Sequence, residues 1–501
     1  MPGLNDSCDR GAKRKYTGEL ATIAYNHLTS AMVPGCLASR DDHYYKNLYL
    51  EEPDFFLLGQ RDPEFRTVLE RGSYLDFANP KSVMQLTKTL LKLDFGLLVD
   101  LPTDRLCPPV PNRHNYILWL KDLIDSSCPL SLDSNEPARK VTGLDVGTGA
   151  SLIYPLLGCV QRPSWSFIAT DVDSKSLAYA RNNAQLNSMS PRIRVVNRNI
   201  TDCLIPLVEF GLESIDFVMV NPPFYTSKTE LEDLASQKSR PPNSACTGAP
   251  IEMVCAGGEV GFVRRIIDES LVLREKVQWY TAMLGKQSSL EVLISILKTH
   301  GVTNYAVNAF VQGKKTRRWA IGWSFHSRRP SLSASRGCEP SAGKKILPLP
   351  TEATVASWPV SRVKPEKLEQ IVCDTMENID VASWIWDRSH FRGIGFSDGN
   401  VWGRAYRRKR AREKEKGEIC SKGEETTEIN SPDSQQMKLH CGTTEHGFAY
   451  CSFGFSITIR VSRDVKTSED ESVVVAHWLK GNDYALFESF TGLLRKSIRL
   501  E

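Results

Sequence analysis

Between residues 138 and 325, short apolar runs alternate with longer segments that have the periodicity of amphipathic helices. The pattern predicts strands at Thr142–Val146, Ser166–Thr170, Arg192–Val196, Ile215–Val220 and Val277–Leu284, and helices at Lys175–Asn187, Val260–Leu273 and Leu290–Thr299. Alternation of this kind is typical of parallel strands joined by helices. We therefore predict an α/β sheet whose edge is an antiparallel hairpin, formed by residues 304–311 and 318–325.

The rest of the chain differs from this region in composition. We expect a poorly ordered N-terminus at 1–40, an N-terminal extension at 41–135, the α/β domain at 136–326, a linker at 327–350 and a small accessory α/β unit at 351–501. Residues 404–446 begin with a basic run and continue with acidic and polar residues, which predicts a disordered insert. The Gly- and Pro-rich span 239–258 lies between a strand and a helix, where a lid over a ligand is expected.

Composition and charge narrow the possible classes of function. The chain has 501 residues, of which 41% are hydrophobic and 24% charged, close to the average for globular proteins. The net charge of +4 is too small to indicate a nucleic-acid-binding protein by itself. The 13 cysteines include no C-x-x-C pair, and the histidines are not clustered, so no metal site is expected. No run of about 18 apolar residues occurs, so no membrane span is expected.

A glycine loop follows the first predicted strand of the α/β region. Asp145, Gly147 and Gly149 form a D-x-G-x-G motif, and the next strand ends at Asp171, 24 residues after Gly147. A carboxylate at that position can accept hydrogen bonds from ribose hydroxyls, which indicates a nucleoside-containing cofactor. Because Tyr154-Pro155 interrupts the expected helix and nothing marks a pyrophosphate site, S-adenosylmethionine fits better than NAD. The alternatives are a simple tight turn and, for Asp171, a helix N-cap.

A second motif, Asn221-Pro222-Pro223-Phe224, directly follows the fourth strand. Open α/β sheets bind ligands at this end of their strands. The Asn221 side-chain oxygen and the Pro222 carbonyl can accept both N–H groups of a planar amine and direct its lone pair at a methyl group. Phe224 offers a ring on which a flipped-out base can stack. The motif suits an adenine amine or a glutamine amide, and in isolation a proline-stiffened turn is equally plausible.

Several further segments together resemble the U6 small nuclear RNA adenine-N6 methyltransferase family and its bacterial ribosomal-RNA relatives. Beside the glycine loop and the N-P-P-F motif, the resemblance rests on Leu75-Asp76-Phe77, Asp94–Leu97, Pro111–Tyr116, Tyr154–Gly158, Arg240-Pro241-Pro242, Gly257-Gly258-Glu259, Trp279-Tyr280, Met283–Lys286, Arg318-Trp319-Ala320 and Trp323-Ser324-Phe325. It covers about residues 41–325.

The resemblance implies a class I, Rossmann-like S-adenosylmethionine-dependent methyltransferase. It implies that Arg113 and Gly147 contact the cofactor, that Asp171 binds its ribose and that Asp202 lies on its adenine side. It also implies that residues 41–135 gate the RNA and the cofactor. The turn at 312–318 is one residue longer than in the family. The C-terminal unit matches only in general shape a module that assists RNA binding.

Basic residues occur in loops that are expected to flank the pocket. They are Lys286, Lys314, Lys315, Arg317 and Arg318. Contacts from these residues to RNA phosphates would provide affinity without sequence reading, and the alternative is a solvated basic face. The run at 404–416 is consistent with a nuclear-import signal, an RNA-binding arm or a solvated charged segment.

Taken together, these observations predict a nuclear enzyme, with a cytoplasmic pool also considered. The enzyme is expected to methylate N6 of an adenosine in structured RNA, U6 small nuclear RNA above all, with S-adenosylmethionine as methyl donor and without a metal or a membrane. Three alternatives stay open: a ribosomal-RNA adenine-N6 methyltransferase, a protein glutamine methyltransferase, and a non-catalytic RNA-binding splicing factor.

Overall fold

The computed structural model describes residues 40–71, 73–128, 139–227, 229–230, 248–312, 316–338, 346–421, 451–463 and 469–499. The chain divides into two compact units, Met1–Asn47 and Leu48–Glu501. In the first unit, the described residues contain helix α1 (Asp42–Asn47), and the Asp41 carboxylate accepts the N–H of Tyr44 at 2.8 Å. The disorder predicted for the N-terminus concerns residues that lie almost wholly outside the described ranges.

The second unit begins with short elements that lead to a long helix. They are α2 (Phe55–Arg61), α3 (Pro63–Arg66), β1 (Leu69–Glu70), β2 (Tyr74–Leu75), α4 (Pro80–Leu90) and α5 (Val110–Ser126). A π-helical turn, Leu91–Phe95, extends α4 and ends at Gly96, which has a φ of 68°. Glycine suits this left-handed position because it has no Cβ.

The central element of the second unit is an eight-stranded sheet. Its strands are β3 (Val141–Val146), β4 (Trp165–Asp171), β5 (Ile193–Asn197), β6 (Ile215–Val220), β7 (Val277–Leu284), β8 (Tyr305–Gln312), β9 (Thr316–Trp323) and β10 (Arg336–Gly337), in the order β10-β8-β9-β7-β6-β3-β4-β5. Strands β3 to β7 are parallel, and β8 and β9 form the predicted antiparallel hairpin. The chain order reverses between β3 and β6, and a ligand is expected at this switch point.

Helices connect these strands. They are α6 (Ile153–Gln161), α7 (Ser174–Leu186), α8 (Leu207–Phe210), α9 (Pro250–Met253), α10 (Gly258–Leu273) and α11 (Gln287–Thr299). The prediction that Tyr154-Pro155 interrupts the helix after the glycine loop is wrong. Helix α6 begins at Ile153, so Pro155 lies in its first turn, where a backbone N–H has no partner within the helix and proline is tolerated.

Large aromatic side chains fill the space beside the parallel strands. The rings of Trp165, Phe167 and Phe217 lie 5.2–6.2 Å from one another. A Cβ on Gly143 would lie 2.2 Å from the Phe217 ring, so this strand position needs glycine. Apart from the edge strand β5, the parallel strands are buried on both faces, as expected for strands that are covered by connecting helices.

The C-terminal residues form a five-stranded antiparallel sheet with two helices packed on it. The elements are β11 (Glu352–Pro359), α13 (Pro365–Glu377), β12 (Ser383–Asp387), β13 (Arg392–Ser397), α14 (Arg404–Ser421), β14 (Phe453–Arg463), β15 (Asp470–Lys480) and α15 (Tyr484–Ser497), with strand order β11-β15-β14-β13-β12. Helix α12 (Leu332–Ser335) precedes them. The core beneath α13 and α15 is aromatic and aliphatic. The sequence pattern did not predict β12 and β13.

Two predicted irregular segments contain regular structure. The expected linker, 327–350, includes α12 and β10, and β10 pairs with β8 at the edge of the large sheet. The basic run is helical rather than disordered, and two of its side chains contact the Asp380 carboxylate: Tyr406 donates to it at 2.5 Å and Arg410 pairs with it at 3.3 Å. Residues 422–446 of the predicted insert lie outside the described residues. In the described part of the chain, no helix is long and apolar enough to cross a bilayer.

Arg329 joins the two sheets of the second unit. Its guanidinium stacks on the ring of Trp478 at 4.1 Å and donates to the backbone oxygens of Gly481 and Thr303. The side chain is 4% exposed, and burial lowers its pKa to about 10. A buried arginine with several neutral acceptors therefore links the start of β8 to the end of β15.

Candidate active site

A cavity of about 370 Å³ lies at the carboxyl ends of β3, β4 and β6. Its walls include residues 146–149, 170–172, 198–200, 202–204, 251–252 and 254–256, together with Arg113, Asn221 and Pro223. The volume is in the range of small-molecule sites. The cavity therefore lies at the switch point of the sheet, and six of the eight predicted catalytic and cofactor-binding residues line it: Arg113, Gly147, Asp171, Asp202, Asn221 and Pro223.

The glycine loop forms one wall. Gly147 and Gly149 have φ values of 74° and 66°, and the N–H groups of Gly147 and Thr148 both donate to the Thr170 carbonyl at 2.9 Å. A Cβ on Gly147 would meet no atom within 4 Å, so open space lies directly beside this backbone. The loop therefore has room for a ligand in contact with its main chain, which fits a cofactor such as S-adenosylmethionine.

Asp171 is held by backbone groups at the next strand end. Its carboxylate accepts the N–H groups of Gly149, Val172 and Asp173 at 2.8, 2.8 and 2.9 Å. Burial raises its pKa, and these three hydrogen bonds lower it. One of the carboxylate's roughly four acceptor positions is left for a ligand hydroxyl. The alternative role as N-cap is wrong, because Asp173 caps α7 by accepting the N–H of Ser176 at 2.8 Å.

Asp145 lies under the glycine loop and is 1% exposed. Its pKa is raised to about 7, mainly by burial and to a smaller extent by the Asp171 carboxylate, although the Thr148 hydroxyl and Arg113 act in the opposite direction. Asp145 does not itself line the cavity. The lining carries both signs of charge, which suits a ligand that also carries both, and consists in this respect of Asp171, Asp202, Glu252, Arg113, Arg198 and Arg265.

The N-P-P-F motif enters the cavity from the end of β6. Arg113, from the first turn of α5, donates to the Oδ1 atom of Asn221 at 3.3 Å and to the Sδ atom of Met283 at 3.0 Å. An amide oxygen has two lone pairs, so Asn221 keeps an acceptor position for a substrate amine. Pro222 is buried beside it. Arg113 therefore contacts the predicted catalytic amide and also lines the cavity.

Phe224 lies beyond the cavity wall, against the loop after β7. The guanidinium of Arg318 is 5.6 Å from its ring, and a Cβ on Gly285 would come within 3.1 Å of it. The buried Glu259 carboxylate accepts the N–H groups of Gly285 and Lys286 at 2.6 and 3.1 Å and so positions this loop. Sequence reasoning noted Glu259 only as part of a Gly-Gly-Glu segment and missed this role.

Four of the remaining predicted residues, Asp202, Lys286, Arg317 and Arg318, lie within the described part of the chain. Asp202 accepts the N–H of Asn199 at 2.8 Å and pairs with Arg198 at 3.4 Å. Lys286 pairs with Glu230 at 3.4 Å. Arg317 is exposed and Arg318 partly buried, and burial, together with Arg113, lowers the pKa of Arg318. Lys314 and Lys315 lie outside the described residues.

The chain is similar to known RNA methyltransferases. Residues 38–327 match a family model described as RNA methyltransferase. The U6 small nuclear RNA (adenine-(43)-N(6))-methyltransferase of Schizosaccharomyces pombe is 33% identical over 430 residues, which cover 86% of this chain and 96% of that protein. The RNA N(6)-adenosine-methyltransferase mettl16 of Danio rerio is 32% identical over 474 residues, 90% of this chain and 96% of that protein.

A solved structure extends the comparison to the fold. The catalytic domain of hMettl16 in complex with the MAT2A 3'UTR hairpin 1 is 38% identical, with a TM-score of 0.50, and the match covers 58% of this chain and 96% of that one. The predicted class I fold, the predicted enzyme class and the use of S-adenosylmethionine as methyl donor are confirmed. The chain belongs to the RNA methyltransferase family.

Proposed function

We propose that this protein transfers the methyl group of S-adenosylmethionine to N6 of an adenosine in U6 small nuclear RNA. The observation that supports this most directly is the Asn221 amide, which lies in the cavity with its oxygen held by Arg113. The names of the relatives support the adenine amine and U6 RNA as acceptor. Because U6 is a nuclear RNA, we also propose that the enzyme acts in the nucleus.

The residues of the reaction motif prepare the amine. When bound, S-adenosylmethionine supplies an electrophilic methyl group. The Asn221 oxygen and the Pro222 carbonyl accept hydrogen bonds from the two N–H groups of the amine and favour a tetrahedral nitrogen, whose lone pair is then available for attack. Pro223 has no backbone N–H to compete for these acceptors. Phe224 stacks on the flipped-out adenine.

The remaining predicted residues bind the cofactor and the RNA. Gly147, Arg113 and Asp171 hold the cofactor, and Asp202 lies on its adenine side. RNA phosphates contact a basic group made of Lys286, Lys314, Lys315, Arg317 and Arg318. Phosphate contacts of this kind provide affinity that falls with salt. In this arrangement the extension at 41–135 gates the RNA and the cofactor, and the accessory unit at 351–501 assists RNA binding.

The test is methyl transfer from labelled S-adenosylmethionine to total RNA from source cells that lack this protein. Product nucleosides are identified by mass spectrometry and the labelled RNA is sized. We expect label in N6-methyladenosine of a single small nuclear RNA. Label in ribosomal RNA or in a protein glutamine would replace this proposal by one of the enzymatic alternatives. The absence of label in any RNA or protein would favour a non-catalytic RNA-binding protein.

A further inference from the structure

Two segments of the chain cover the cofactor cavity. One contains Leu106 and Pro108, before α5, and the other runs from residue 251 to 256, around α9; both contribute to the cavity wall. We refer to residues 104–108 and 249–256 as the first and second cover segments. They are 141 positions apart in the sequence at their nearest ends, so only tertiary contacts can hold them together.

Each cover segment also forms ion pairs or hydrogen bonds with other parts of the second unit. The first is fastened to the start of α7, where Arg105 pairs with Asp173 at 2.9 Å and Lys175 pairs with Asp104 at 2.8 Å. The second pairs with the residue that follows the N-P-P-F motif. The N–H of Tyr225 donates to the Met253 carbonyl and the N–H of Cys255 to the Tyr225 carbonyl, both at 3.0 Å. The cover thus extends from the cofactor side to the reaction motif.

The Glu252 side chain connects the two cover segments. Its Oε2 atom accepts the N–H of Leu106 at 2.9 Å and the N–H of Ala249 at 2.8 Å. Its Oε1 atom lies 3.9 Å from the place of a Cβ on Gly149, so the carboxylate stands against the glycine loop. Burial raises the pKa of Glu252, and the two N–H bonds lower it.

We propose that Glu252 is a positioning residue that ties the two cover segments together over the cavity and thereby slows the release of S-adenosylmethionine. A single oxygen that accepts N–H groups from both segments fixes the distance between them, and this depends on the reach of the side chain rather than on its charge. Both bonds lie within the chain and hold the two segments next to the glycine loop. This inference rests on S-adenosylmethionine as the cofactor and does not depend on which RNA is methylated.

Two substitutions test separately whether the length or the charge of the Glu252 side chain matters. Glu252→Gln keeps the length and one oxygen that can accept both N–H groups, but it removes the charge. Glu252→Asp keeps the charge, but its side chain is shorter by one methylene and cannot reach both N–H groups. Neither change deletes the side chain, so both variants are expected to fold. Asp216→Asn is the control, because Asp216 accepts the N–H of Thr142 at 2.7 Å and pairs with Arg139 at the opposite end of the sheet.

The measurements are the dissociation constant and the dissociation rate of S-adenosylmethionine without RNA, and hydrogen exchange of the peptide that contains Leu106. We expect Glu252→Asp to weaken binding by about tenfold, through faster dissociation, and to speed exchange at Leu106. We expect Glu252→Gln to stay within about threefold of the wild-type protein, and Asp216→Asn to leave affinity unchanged. Wild-type affinity in Glu252→Asp, or a larger loss in Glu252→Gln than in Glu252→Asp, would overturn the proposal. Because no RNA is present, these outcomes are independent of the proposed substrate.

Discussion

The two sheets of the second unit differ in the direction of their strands and in what they bury. In the eight-stranded sheet, β3 to β7 run parallel, so their carboxyl ends meet at one edge, where the cavity and its carboxylates lie. In the five-stranded sheet, neighbouring strands alternate in direction, and the core is formed by aromatic and aliphatic side chains. Parallel strands gather loops from distant parts of the chain at one edge, whereas alternating strands distribute them between two edges.

This contrast separates residues that serve chemistry from residues that serve stability. Asp145, Arg113 and Glu259 are buried ionisable groups near the cavity, each 5% exposed or less. Such groups cost free energy to bury unless hydrogen bonds compensate, and beside a cavity they are candidates for function, whereas the buried Arg329 links the two sheets. Phe455 and Phe490 in the smaller sheet have ring centroids 4.1 Å apart and are completely buried, as expected for side chains that stabilise the fold.

The largest expected effect is on the stability of the smaller sheet. Trp478 is 1% exposed, stacks on Phe487 and carries the guanidinium of Arg329. We expect Trp478→Ala to lower the free energy of unfolding by about 3–5 kcal/mol, because it leaves a large cavity. Urea unfolding measures this loss. If the stability of the five-stranded sheet is independent of the cavity in the eight-stranded sheet, calorimetry finds the same affinity for S-adenosylmethionine in Trp478→Ala as in the wild-type protein. A weakened affinity would show that the two sheets do not serve separate purposes.

The second-largest effect is expected on the rate of methyl transfer. We expect Asn221→Ala to lower kcat by about 10² to 10³, because one of the two acceptors that orient the amine is lost. RNA affinity and the free energy of unfolding are expected to change little. The matched control is Asn378→Ala, which removes an exposed amide at the end of α13 in the smaller unit. Turnover at the wild-type rate in Asn221→Ala would remove the role assigned to this residue.

The buried carboxyl group of Asp145, beneath the glycine loop, predicts a pH dependence of the free energy of unfolding. Because burial raises the pKa of Asp145 to about 7, the folded state keeps a proton that the unfolded state loses near pH 4. The free energy of unfolding is therefore expected to fall as pH rises from about 4 to about 7, by up to roughly 1.4 kcal/mol per pH unit, and then to level off. Urea unfolding from about pH 5 to pH 8 should show this slope in the wild-type protein and its absence in Asp145→Asn. Equal slopes would mean that Asp145 titrates normally.

The smallest effect is expected from the basic helix α14. Arg404, Arg408 and Arg412 are exposed and recur every four residues, on the face away from the Tyr406 contact with Asp380. We expect replacement of the three by glutamine to weaken RNA binding and to reduce the slope of log affinity against log salt by about two to three. Binding at several salt concentrations measures the slope. An unchanged slope would show that α14 does not contact RNA phosphates, and its role would then be that of an import signal or a solvated charged face.

Much of the eight-stranded sheet could be predicted because its strands are short apolar runs separated by glycine and proline. The site motifs could also be placed, since D-x-G-x-G and N-P-P-F follow strands whose carboxyl ends share one edge. Strands β12 and β13 were missed because their tryptophans, glycines and charges alternate without a clear periodicity. Helix α14 was missed because its polar composition resembles that of a disordered segment, and only the contacts of Tyr406 and Arg410 with Asp380 distinguish the two.

The sequence by itself determined the fold class, the position of the glycine loop and the identity of the reaction motif, because each depends on residues that are neighbours in the chain. Only the tertiary structure showed that Arg113 holds the Asn221 oxygen, that Glu259 positions the loop beneath Phe224 and that Glu252 reaches Leu106. These contacts join residues that are 26 to 146 positions apart. Local pattern cannot encode such pairs, because the distance between them depends on how the sheet brings its strand ends together.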